Sequence, residues 1–411
     1  MQTILFDEKE YKDDARILYN IMENISKIPF LQINPEKVPR DLVIKNVKKE
    51  GTEYKIWRTG DSGETDETLG KYNSVVLSEP EGQVLCYTPA KSIPLETFMA
   101  RYPDISTEDL LANEAIEGTL ISAFWDERLD SWEIATKGAI GGNYWFYRTR
   151  YPGFHASMEQ KTFRDMFVDA IGCSVDINES LGDLPKRHLE QTLCYNFVLQ
   201  HPENHIVFDI DTPKLYLVSV YGICNHEIHI VPREEYEEWV HQSQLNAVIY
   251  FPQKYVFAEW SAINKDNHPM GLMVTHKNGD RTCIENPRYL SSKELRGNHP
   301  NLQYRFLELR QKDMVQPFLT DFPQYIEIFY YFHLQYEGFT SYLHDAYVSY
   351  YIKKSGVLIP KPFFCIIRHL HHTVYLPSLS TEKVVMKRNE FAKHVRGLTP
   401  KQLIYFLNYS E

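Results

Sequence analysis

Cysteine is sparse and badly spaced for its usual structural uses. The six cysteines (Cys86, Cys173, Cys194, Cys224, Cys283 and Cys365) make no C-x-x-C pair, which excludes a zinc ribbon, a thioredoxin-type redox motif and a small disulfide scaffold. Several stand in apolar, strand-like runs and read as buried free thiols in a reducing compartment. Long apolar runs are missing too. None approaches the about 18 residues that a bilayer span needs, so membrane insertion is not expected. The first residues, MQTILFDEKEYKDD, are acidic and carry no signal-peptide core, so the expected location is cytoplasmic. There is no internal repeat, no low-complexity tract, no P-loop and no Ser-His-Asp arrangement. Excess positive charge is also absent. A formal net charge of −11 argues against a surface coated with phosphate-binding side chains, while leaving room for a local basic cleft or for docking on a basic partner.

What is present is enough chain, at 411 residues, for two domains that each bury a core. Tyrosine (28) and phenylalanine (22) are abundant, and such rings either fill cores or make stacking platforms; core is the reading adopted. Residues 13–28 carry Leu18, Ile21, Met22 and Ile25 at near-helical spacing before Pro29, Pro35 and Pro39 interrupt. Strands alternate with turns from residue 51 onward, at 54–58, 73–77 and 84–87. A hairpin follows at 118–125 and 131–136 around an acidic turn, then the glycine-rich run Lys137–Gly142. A helix is predicted over 157–172, with Phe163, Met166, Phe167 and Ala170 on one stripe. A short helical segment is expected at 184–192, then strands at 193–200, 205–209 and 215–223. From residue 290 the texture becomes helical, with segments at 304–311, 313–318, 324–354, 363–373, 380–396 and 401–408 punctuated by proline. The division expected is therefore an N-terminal helical and extended segment (1–50), a strand-rich domain (51–290) and a helical domain (291–411).

Five short words in the strand-rich part resemble the nucleotide-binding core of the bacteriophage RNA ligase 1 type, within the covalent nucleotidyltransferases. Ala115-Ile116-Glu117-Gly118 is similar to the family's Lys-x-Asp-Gly. Thr136-Lys137-Gly138-Ala139 and the strand pair ending near Lys91 are similar to flanking words. CYNFVLQHPENHIV, from Cys194, resembles the third signature, Met270-Gly271-Leu272-Met273-Val274 the fourth, and Arg281-Thr-Cys283-Ile-Glu285 the fifth. The resemblance spans roughly residues 70–290 and implies an α+β fold. It would have an antiparallel, strand-rich nucleotidyltransferase (ATP-grasp-like ligase) domain, followed by the helical C-terminal domain. The wording EGT, GGNYWFYR, FVLQHPEN and YFLNY also resembles a set of proteins of large DNA viruses, which would add the virion or viral factory as locations.

The same resemblance implies that chemistry has been removed. By resemblance, the lysine that attacks the α-phosphate of ATP is Ala115. The ribose-contacting glutamate is Val198, the metal-orienting acid is Met270, and the two α-phosphate lysines are Cys283 and Glu285. Alanine cannot attack, valine and methionine cannot ligate Mg²⁺, and a glutamate opposes the anion that forms in the transition state. The expectation is a catalytically inactive RNA ligase-like protein with no cofactor, acting as a binding or structural component with protein, RNA or DNA partners. The alternative is an active, ATP- and Mg²⁺-dependent ligase using a displaced lysine, Lys137 or Lys91.

Nucleotide- or nucleic-acid-binding candidates are Lys91, Glu117, Gly118, Lys137, Arg148 and Arg281. For the lysines the structural alternative is an exposed side chain at a strand end; for the glycine run, a tight connection; for Arg148, a core strand with its charge reaching solvent. His226 and His229 fall on opposite faces of a strand, and His369 and His372 lack a third ligand, so no metal site is expected. The run 234–238 reads as a solvated acidic helix face. With its charges replaced by apolar groups, the cleft around Ala115 is expected to be plugged.

Overall fold

In a computed structural model of the chain, residues 27–29, 42–49, 51–60, 70–103, 109–148, 151, 159–172, 189–224, 227–255, 269–381 and 384–409 are described. The helices expected at 13–28 and 184–192 fall largely outside them. The fold is α+β, with antiparallel sheets followed by a helical C-terminal region. It divides into two compact units, Met1–Trp145 with Lys161–Ser291, and Phe146–Gln160 with Ser292–Glu411. The excursion of Phe146–Gln160 into the second unit was not legible in the sequence.

The first unit is built on an eight-stranded sheet with the order Lys27–Pro29, Glu227–Val231, Lys214–Cys224, Leu193–Gln200, Thr119–Asp126, Ser131–Thr136 and Ala139–Ile140; Ile249–Tyr250 pairs with Lys214–Cys224. Period-2 alternation decides which side chains face which layer. On the central strand Leu193, Tyr195, Phe197 and Leu199 pack under the helix Phe163–Ile171. Cys194, one position out of phase, packs with Tyr54, Ile56, Val76 and Phe124 of the opposite layer. Because both faces are covered, the strand reads as an apolar run rather than a clean alternation. The helix starts where Thr162 and Asp165 form a reciprocal capping box and stops at Gly172 in the left-handed region, φ 77°.

A second sheet, Lys254–Tyr255, Leu110–Glu114, Gly271–His276 and Arg281–Glu285, and a third, Leu42–Lys49, Thr52–Thr59, Ser74–Glu79 and Val84–Tyr87, complete the unit. The third sheet is tied to the central hairpin by Asp126. Its fully buried carboxylate accepts hydrogen bonds from the Tyr54 hydroxyl at 2.8 Å and from the Arg128 guanidinium at 2.8 and 3.0 Å. Burial pushes the Asp126 pKa up, but the bonds from Arg128 and Tyr54 outweigh it and hold the carboxyl below the usual aspartate value. A depressed pKa means stability present above the unfolded value near about 3.9 and lost as pH falls through the folded value. Urea midpoints of the wild type are therefore expected to drop between pH 5 and 2. Asp126→Asn should start lower at pH 6 and fall less steeply over that range; parallel curves would refute the assignment.

The second unit surrounds a long helix, Ile326–Tyr347, whose Phe329, Phe332, Tyr336, Phe339 and Leu343 are buried at helical spacing. Leu302–Gln311, Val315–Asp321, Lys361–Leu370, Arg388–Arg396 and Pro400–Leu407 pack around it. Phe318 stacks on Phe329 at 4.8 Å and 9°. The excursion joins this unit through hydrogen bonds: the Arg148 N–H donates to the Pro300 carbonyl at 2.8 Å, and the Leu302 N–H to the Tyr151 hydroxyl at 2.8 Å.

Several expectations need correction. Residues 205–209 form no strand but a loop. The aromatic run 143–150 is not a core strand: Tyr144, Trp145 and Phe146 are exposed, and only Tyr147 and Tyr151 go inward. The helix expected over 380–396 is limited to Arg388–Arg396.

Candidate binding cavity

A cavity of about 980 Å³ lies in the first unit. Its walls come from the central sheet (Leu120, Val198, Val218, Tyr221), from Leu110–Glu114, from the Gly271–His276 and Arg281–Glu285 hairpin, and from the start of the helix Arg233–Gln242. Ala115 and Gly118 are part of the wall. The cleft is therefore open, contrary to the plugged cleft expected from the substitutions. Ala115 and Val198 are short side chains that leave room at the wall, and the sheets on either side each carry a core of their own.

Two glycines bring the layers close. Gly118 has φ +156°, and a Cβ there would stand 2.4 Å from the Leu199 carbonyl oxygen. Gly271 has φ +135°, with a Cβ 2.1 Å from the Ile284 carbonyl oxygen. Both positions need glycine for the same reason, a backbone passing within van der Waals contact of another backbone.

In the hairpin, Thr275 pairs with Arg281, Met273 with Cys283 and Gly271 with Glu285, so these side chains share one face. Only Met273, Thr275 and Arg281 reach the cavity; Cys283, Glu285 and Met270 do not line it. Burial pulls the Arg281 pKa below the ordinary guanidinium value, with Tyr221, Cys283 and Tyr87 acting in the opposite sense. Its Nε donates to the Ala90 carbonyl.

The remaining charges of the wall are mixed. Arg233 is buried and committed to Asn113, the Pro252 carbonyl and, at 2.7 Å, Glu237. Lys277 pairs with Asp109 at 2.7 Å and is largely exposed. The acids are Asp109, Glu114, Glu234 and Glu235. The run 234–238 is thus not simply a solvated face. Glu235 turns into the cavity, one of its carboxylate oxygens is buried with no hydrogen-bond partner, and burial followed by the charge of Glu234 raises its pKa.

Of the sequence candidates, Gly118 and Arg281 meet in this cavity and the others do not. Glu117 points away from it. Its buried carboxylate accepts the backbone N–H groups of Ile206 (2.8 Å), Val207 (3.0 Å) and Phe208 (3.3 Å) and bonds the Tyr289 hydroxyl, whose pKa is raised by its own burial and by Glu117. Lys91 lies on the segment whose backbone bonds the Gly70 carbonyl, and Lys137 sits in a turn whose carbonyl accepts from Ser74. Arg148 belongs to the second unit, exposed, with its guanidinium 5.1 Å from the Tyr151 ring centre. Sequence reasoning missed Arg233, Glu235, Tyr221 and Asn113. The only signal was Arg233 heading a helix of alternating acids and aromatics, which a solvated face explains equally well.

No family model matches the chain. A stretch of 110 residues, 27% of this chain, is 24% identical to an RNA ligase of Rhodothermus phage RM378. The stretch spans only 22% of that protein's length. The solved structure of a "putative ATP-dependent DNA ligase" from Aquifex aeolicus aligns over 70% of this chain and 76% of that one, at 13% identity and a TM-score of 0.38. Over the 110-residue stretch the chain is distantly similar to a phage RNA ligase.

Whether the residues present suit ATP and Mg²⁺ follows from the donors. The wall offers one guanidinium not engaged by an acid, Arg281, against Glu114, Glu234 and Glu235. A triphosphate needs several cations around it. Among the described residues no group of three or more His, Cys, Asp or Glu is placed to hold a metal ion, and no helix is long and apolar enough to cross a membrane. One guanidinium among these carboxylates does not balance the charge of a triphosphate.

Proposed function

We propose that the chain is a non-catalytic relative of the RNA ligases, a binding or structural component whose partners are nucleic acid or protein rather than a reacting nucleotide. The observation that carries this reading is Ala115 in the cavity wall, at the position where the resemblance places the attacking lysine. Neither Lys91 nor Lys137 supports a displaced nucleophile, since neither lines the cavity. Lys277, the lysine that does, has its amino group engaged by Asp109 at 2.7 Å rather than presented to a nucleotide.

The test is incubation of the full chain with labelled ATP and Mg²⁺ or Mn²⁺. No acid-labile, base-stable AMP adduct is expected, and Ala115→Lys alone should not create one, because the acid and cations that complete the chemistry are also replaced. A stoichiometric adduct on the wild type, mapped to any lysine, overturns the reading.

A further inference from the structure

The cavity has the chemistry of a binding site, but for a ligand other than a polyphosphate. Leu111, Ile116, Leu120, Val218, Ile230 and Met273 give it a largely apolar wall, and its volume of about 980 Å³ is at the upper end for small-molecule sites. Arg281 is held by a single bond from Nε to the Ala90 carbonyl. No carboxylate lies within ion-pair distance of it among the described residues, and Arg281 lines the cavity. The other cations of the wall are engaged, Arg233 by Glu237 and Lys277 by Asp109. Glu114, Glu234 and Glu235 stand on the same wall, so each further negative charge on a ligand meets repulsion without a matching cation.

From this set of groups we propose that the cavity binds an amphipathic small molecule with an apolar, ring-sized body and one anionic group, a carboxylate or sulfonate seated on Arg281. The proposal rests on the non-catalytic reading of the same cavity and names its ligand class. A planar guanidinium meets a carboxylate through two parallel N–H bonds, and in a partly buried apolar site that pairing gains strength from the exclusion of water. The apolar body contributes by burial against the aliphatic wall.

The experiment is calorimetric titration of the full chain at neutral pH with 2-naphthoate, with its neutral analogue 2-naphthylmethanol and with ATP. The expected order is 2-naphthoate tightest, with the alcohol and ATP each at least ten-fold weaker. Arg281→Met should weaken 2-naphthoate at least ten-fold and leave the alcohol unchanged, whereas Arg281→Lys should retain most of the affinity. Met273→Trp, which narrows the cavity from the partner strand, should weaken both naphthyl probes, and it carries the test if Arg281→Met fails to fold. ATP binding tighter than 2-naphthoate overturns the proposal, as does an Arg281→Met affinity equal to wild type. Failure of the underlying reading is distinguishable, since that requires a covalent AMP adduct, which none of these titrations would produce.

Discussion

Gly118→Ala is expected to cost the first unit at least about 3 kcal/mol, enough to abolish soluble expression in a marginally stable protein. Two effects add. The residue is held at φ +156°, where an L side chain is strained, and the new methyl would stand 2.4 Å from the Leu199 carbonyl oxygen and 2.6 Å from a Val198 methyl. The first of those atoms is backbone in the middle of the central sheet, paired to Thr119 across the ladder, and cannot move without breaking the register. Gly271→Ala meets the Ile284 carbonyl at 2.1 Å and should behave alike. The measurement is urea unfolding followed by tryptophan fluorescence, since Trp125 and Trp132 report on this sheet. Two controls fix the interpretation. Gly138→Ala has nothing nearer than 3.7 Å and should lie within about 0.5 kcal/mol of wild type. Gly338→Ala, in the helix Ile326–Tyr347 with nothing within 4 Å, should stabilise by about 0.5–1 kcal/mol through helix propensity. If Gly118→Ala unfolds at the wild-type midpoint, the close approach of the two strands is wrong.

Glu117→Ala is expected to be the next most damaging change, at about 3 kcal/mol, because it removes a charged acceptor from several backbone donors at once. The N–H groups of Ile206, Val207 and Phe208 converge on this carboxylate, and without it they lose their acceptor in a partly buried loop. The adjacent Asn204 side chain donates to the Thr119 hydroxyl at 2.8 Å, so a second bond fastens the loop close to Glu117. Glu117→Gln keeps one good acceptor oxygen and should cost roughly half as much. Urea midpoints measure the loss directly. A ligand contact would give the opposite pattern, with stability retained and binding lost, and observing that pattern would remove the structural role assigned to Glu117.

The two predictions show why resemblance and geometry diverge at this site. The word Ala115-Ile116-Glu117-Gly118 was legible. What the acid in the word does was not legible, because the loop it binds lies about ninety positions away in the chain. The expected strand at 205–209 fails for the same reason. His205, Ile206, Val207 and Phe208 have strand-like propensity, but three of their four N–H groups go to one carboxylate instead of a neighbouring strand. The helix expected over 380–396 overran because helical periodicity does not show where tertiary packing stops.

The sequence by itself determined the α+β class, the positions of the central strands 193–200 and 131–136, and the helical character of the C-terminal third. All of these are local matters of side-chain period, turn residues and identity. Tertiary structure alone decided that the cleft is open, that Arg281 and Glu235 face into it while Lys91 and Lys137 do not, and that Arg148 belongs with the helical unit. Those outcomes depend on how residues far apart in the chain are brought together by sheet register and layer packing, and a one-dimensional pattern does not carry that information.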